Sequence, residues 1–242
     1  MQKLLQFIKK WHKLICSLAI CLVVTPLIIW LGISIFGDRR FYLISLLIML
    51  FAMIPFFIIF EKKESKIKSL LLIAVLSSLA VIGRLAFLFF PQFKPMAAIV
   101  IIAGVSLGAE AGFMVGATSA FVSNFFVGQG PWTPVQMFCF GILGFLAGIL
   151  YKKCHFKASR TSLSIYGTLS VFLIYGGIIN ISSFLLYYND PSLELFFSYY
   201  AASLPMDLIH AVSTAIFLFL LSPSILFELD RIKQKYGLSD NH

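Results

Sequence analysis

Residues 104–120 read GVSLGAEAGFMVGATSA, with Gly104, Gly108, Gly112, Gly116 and Ala120 at every fourth position. A short polar loop follows, Gly128-Gln129-Gly130-Pro131-Trp132-Thr133-Pro134, and beyond it Gly141, Gly144, Ala147 and Gly148 supply a second set of small residues. The segments on either side of the loop are strongly apolar. Small residues a helical turn apart let backbones approach closely inside a bilayer, where lipid supplies no hydrophobic drive for helix association. The stretch predicts a tight membrane bundle that presents an aromatic, amide-bearing loop at one membrane face. Such a loop is suited to the mouth of a binding site.

Composition agrees. The chain is 60% hydrophobic and only 12% charged, against about 45–50% and about 25% in soluble domains. Several apolar runs reach the ~20 residues that a spanning helix needs. The fold class is therefore all-α and polytopic. Residues 14–36 are too long for the apolar region of a cleavable signal and are followed at once by another apolar run, so they read as a retained span. The sequence contains no Walker-type phosphate loop and no Gly-rich dinucleotide turn, so it shows no nucleotide engine of its own. The net charge of +9 does not signal nucleic acid. Its Lys and Arg sit in short clusters between apolar runs, as in loops beside anionic lipid. Cys16, Cys21, Cys139 and Cys154 form no CxxC pair and read as small packing residues, with no metal or disulfide role.

Eight apolar helices are expected, over 14–36, 41–60, 67–90, 95–108, 111–127, 133–151, 162–188 and 195–227. A break is expected near Ala109-Glu110, and the last helix is expected to turn at Ser203-Leu204-Pro205. With the N-terminus inside, the inner segments carry fifteen Lys and Arg and the outer loops only Arg39, Arg40 and Lys94. That bias predicts both termini in the cytoplasm and the Trp132 loop facing outward.

Charge in a span costs about 2.5–3.5 kcal/mol at the bilayer centre on insertion scales, so each polar residue there needs an account. Arg84 lies in the outer part of its span, Asp207 and His210 lie i, i+3 on the last one, and Asn124, Gln136 and Asn180 fall at similar depth. Each has an ordinary reading alone: Arg84 snorkelling to headgroups, and the rest as hydrogen-bonding glue between helices. Their convergence from different helices predicts a ligand cavity lined by Arg84, Asn124, Gln129, Trp132, Gln136, Asn180, Asp207 and His210. Arg84 and Asp207 are expected to neutralise one another or to hold a ligand jointly. Pro131 and Pro134 place Trp132 rigidly, as a cavity wall, whereas Tyr187 and Tyr188 read as interfacial anchors; Tyr175 and Tyr199 are weaker candidates for the cavity. The sequence has no HExxH, GxSxG or metal-spaced His/Cys cluster, so no catalytic residues, metal or cofactor are expected and the chain reads as a non-enzyme.

The run Lys94-Pro95, Ala103-Gly104, Leu107-Gly108, Ala111-Gly112-Phe113, Gly116, Val122-Ser123-Asn124-Phe125-Phe126, Gly128 to Pro134, Gln136-Met137 and Gly141 resembles the substrate-binding S component of an energy-coupling factor (ECF) vitamin transporter. The tail Leu204-Pro205-Met206-Asp207-Leu208-Ile209-His210-Ala211 fits the same group. The resemblance implies a six-helix core, here 67–237, that captures a vitamin or related micronutrient from outside a bacterial cell membrane. It also implies a membrane coupling subunit and two cytoplasmic ABC-type ATPases as partners. Family members contact the coupling subunit through an Ala-x-x-x-Ala pair on the first core helix, which here corresponds to Ala74 and Ser78. The Gly128–Pro134 loop is similar to subunits associated with cobalamin uptake. Residues 1–66 stand outside the resemblance as an accessory hairpin of two extra transmembrane helices, and 238–242 as a short cytoplasmic tail. A standalone secondary transporter and a structural membrane scaffold are the competing readings. The first commonly shows repeated halves with matching broken helices at the midplane, and no such repeat is visible.

Overall fold

The computed structural model describes residues 67–188 and 192–237. The predicted helices 14–36 and 41–60, the hairpin 1–66 and the tail 238–242 lie outside the described residues. Every regular element within them is helical. In chain order they are α1 (Ile67–Ala86), α2 (Met96–Leu107), α3 (Ala109–Val127), α4 (Thr133–Ala147), α5 (Arg160–Leu169), α6 (Gly177–Tyr187) and α7 (Leu193–Tyr236). A π-helical segment, Gly148–Lys153, extends α4, and another, Ser170–Gly176, joins α5 to α6. Since Arg160–Tyr187 is one continuous apolar helix, the bundle has six rods, the number expected. Among the described residues, four helices are long and apolar enough to cross a membrane: Lys68–Ala86, Thr133–Lys152, Arg160–Tyr187 and Leu193–Tyr236.

The short α2 forms the centre. Its 12 residues rise only about 18 Å at 1.5 Å per residue, well under the ~30 Å of a hydrocarbon core. Met96 to Gly104 and Ser106 are all buried, so α2 is apolar all round because protein surrounds it. The helix breaks at Gly108, whose φ of +102° is open to glycine and closed to other residues. That position, not Ala109-Glu110, is where the chain turns from α2 into α3.

The glycine ladder works as the spacing predicts. A Cβ on Gly112 would lie 2.6 Å from the Gly104 Cα and from the Gly144 carbonyl oxygen. One on Gly104 would strike the Gly144 carbonyl, one on Gly116 the Phe140 carbonyl, and one on Gly148 the backbone of Ala109. Backbone therefore meets backbone along α2, α3 and α4. Gly141 differs, since the ring of Phe113 fills the space that its Cβ would take.

Two helix ends depart from expectation: α1 closes before the expected 90, and α7 runs to Tyr236, past the expected 227. α1 ends at Ala86, and Phe87–Pro91 forms turns, so Arg84 sits in the last turn of its helix. α7 does not turn at Ser203-Leu204-Pro205. It runs unbroken for 44 residues through Pro205 and Pro223, about 66 Å. Each proline removes one backbone donor. Gly167 packs on Leu218 and Thr214, Gly176 on Asp207, and Phe184 on Phe196 and Tyr199. Those contacts along the α5–α6 rod keep α7 helical through Pro205.

The ends of the bundle differ in charge. Lys68 donates to the Tyr236 carbonyl at 3.2 Å and Lys233 to the Ser106 carbonyl at 3.2 Å. The start of α1, the end of α2 and the end of α7 thus share one end, together with Arg231 and Lys235. The opposite end carries the Trp132 loop, Lys94 and the polar residues of the candidate site.

Candidate functional site

Arg84, 7% exposed, anchors the first polar cluster. Its Nη1 donates to Ser123 Oγ at 2.6 Å and to Asn124 Oδ1 at 2.8 Å. Asn124, fully buried, donates through Nδ2 to Thr133 Oγ1 at 2.9 Å and to Gln136 Oε1 at 2.8 Å. Thr133 Oγ1 donates to Gln129 Oε1 at 2.9 Å, and Gln129 donates to the Phe121 carbonyl at 3.2 Å. One chain of hydrogen bonds therefore ties α1, α3, the 128–132 loop and α4. The sequence named Arg84, Asn124, Gln129 and Gln136 but missed Ser123 and Thr133. Both hydroxyls fit the general rule that a buried charge gathers polar partners, and Ser123 lies beside Asn124 in sequence.

The second cluster is acidic. Asn180 Nδ2 donates to Asp207 Oδ2 at 2.6 Å, and Ser203 Oγ stands 3.5 Å from the same oxygen. Gly176 leaves the room that the Asp207 carboxyl occupies. Arg84 and Asp207 do not pair. Each is held by neutral partners, because Arg84 faces α3 while Asp207 faces the α5–α6 rod.

Tyr175 and His210 join the clusters. Their rings meet edge-on with centroids 4.8 Å apart, and Phe140 lies 4.8 Å from Tyr175. Tyr175 is within electrostatic reach of both Arg84 and Asp207. Tyr175 is a central residue that sequence ranked low. The reason is the π-helical turn Ser170–Gly176, whose extra residue per turn re-aims a side chain, a feature common at functional sites. α-helical periodicity does not reveal it. Tyr199 packs on Phe184 and Tyr188, away from the Arg84 cluster.

Trp132 is partly buried, and its indole covers Gly130, where a Cβ would meet the ring. Gly128 has φ +130°, as a strained turn requires. Gly130 does not have a positive φ; its lack of a side chain serves the indole. Ala74 and Ser78 lie on the exposed face of α1, flanked by Leu71, Val75 and Ile82.

The architecture and the buried polar centre together define a helical membrane protein with a buried polar network near one end of its bundle. The profile of the family described as "ECF transporter, substrate-specific component" matches residues 68–228. The chain belongs to that family and is a substrate-specific component of a multi-subunit membrane transporter. No curated protein and no solved structure matches it.

Proposed function

We propose that this chain is the capture subunit of an ATP-driven importer, binding a vitamin or related micronutrient at the end of the bundle that carries the Trp132 loop. The observation that carries the reading is the buried Arg84–Asn124–Thr133–Gln136 network. Four interlocked polar side chains inside a membrane bundle are expensive, and a site with perturbed, convergent polar groups is the usual mark of ligand binding. Asp207, Asn180, His210 and Tyr175 line the far side, with Trp132 as a wall near the mouth. The Lys- and Arg-rich end supports placing that mouth outside a bacterial cell membrane, with both termini in the cytoplasm. Ala74 and Ser78, small and exposed on α1, are proposed to meet a membrane coupling subunit that rides on two cytoplasmic ABC-type ATPases.

Asn124 is taken up by Arg84, Thr133 and the Gln136 oxygen, and Gln129 by Thr133 and the Phe121 carbonyl. That removes one ground for cobalamin, which stays among the candidates beside smaller vitamins. Purification of the full chain in detergent, followed by mass spectrometry of the released small molecules, tests the reading. A stoichiometric micronutrient is expected. A chain that carries none and binds none from a vitamin panel would contradict it.

A further inference from the structure

The charges around Arg84 do not balance. Its Nη1 is tied to two neutral oxygens, while Nη2 and Nε have no partner among the described residues. These two groups are not sealed off: the sealed, unpartnered side-chain polar atoms there are Ser77 Oγ and Ser106 Oγ. Lys94 adds a second cation within electrostatic reach of Arg84. Its backbone N–H and carbonyl bond Ser213, but its ammonium has no ion pair among the described residues. Arg231 pairs with Glu228 and Lys233 with Asp230, far from the site. Asp207, the carboxylate of the second cluster, is held by Asn180.

A buried cation is normally retained only with a counter-charge. The free Nε–Nη2 edge of a guanidinium presents two parallel N–H groups, the fork that matches a carboxylate or phosphate bidentately. We propose that Arg84 receives an acidic group, carboxylate or phosphate, on the captured micronutrient, and that Lys94 strengthens the positive potential there. The inference rests on the capture reading and names the ligand's chemical class. Lipid phosphate has the same chemistry, but the burial of Arg84 against α3 favours a soluble ligand.

The full chain, purified in detergent, would be titrated with matched acidic and neutral compounds: nicotinate and nicotinamide, pantothenate and pantothenol, pyridoxal 5′-phosphate and pyridoxal. One acidic member is expected to bind, its neutral counterpart about 10- to 150-fold more weakly, the range for a charged hydrogen bond. Arg84→Met should erase that preference, and Arg84→Lys should keep part of it. The acid-against-neutral comparison in wild type stands even if a variant fails to fold. Equal binding of both members, or binding of neutral compounds alone, would overturn the acidic-group assignment and leave the importer reading intact. Absence of binding by every compound would count against both. A thermal shift given by phosphatidylglycerol and by no soluble acid would assign Arg84 to a lipid headgroup and also overturn the proposal.

Discussion

Asn124 is the junction of the site, since its oxygen accepts from Arg84 while its nitrogen serves Thr133 and Gln136. Asn124→Leu takes a hydrogen-bond partner from Arg84, Thr133 and Gln136. It should destabilise the detergent-solubilised chain by about 1–3 kcal/mol in denaturant unfolding, the cost of a buried unsatisfied group. Asn124→Asp should act differently. It places a carboxylate on Arg84, so the ligand-free chain should melt no lower than wild type while affinity for an acidic ligand falls at least tenfold in titration. Trp132→Ala should cost at least ~1 kcal/mol of ligand affinity, the lower range for a buried anchor. Unchanged dissociation constants would make the indole a headgroup anchor only. Polar residues were legible at this scale because charge in an apolar run stands out. Ser123 and Thr133 were not, since hydroxyls are common in membrane helices, and the Arg84–Asp207 pairing failed because sequence shows depth but not which way a side chain faces.

The elements carry the clearest sequence signal, the four-residue glycine spacing, and it corresponds to direct backbone contact among α2, α3 and α4. Gly112→Ala puts a Cβ 2.6 Å from two backbone atoms, neither of which is a flexible side chain. It should destabilise by about 1–3 kcal/mol through overpacking, read as a lowered melting temperature in detergent. Gly177→Ala is the control, as its Cβ would meet only the Tyr200 hydroxyl at 3.8 Å, and it should leave the melting temperature unchanged or raised. The break after α2 was legible to within a residue or two because Gly108 sits among helix formers. The continuity of α7 was not. Pro205 argues locally for a turn, and packing against the α5–α6 rod overrides it. The π-helical turn that aims Tyr175 has no periodic signature at all.

At the scale of the whole molecule, the six-rod core, its charged end and its polar end are what a component that binds on one side and docks to partners needs. The docking face is tested by Ala74→Trp with Ser78→Trp. Both sites are exposed, so ligand binding by the isolated chain should persist while co-purification with the coupling subunit and ATPases is lost; an intact complex would place the interface elsewhere. The central claim is that this chain captures its ligand but does not transport alone. The direct measurement is uptake of a compound it binds, by proteoliposomes containing only this chain, under imposed proton and sodium gradients. Binding without accumulation is the predicted result. Gradient-driven accumulation inside the vesicles would contradict the account and make the chain a secondary transporter.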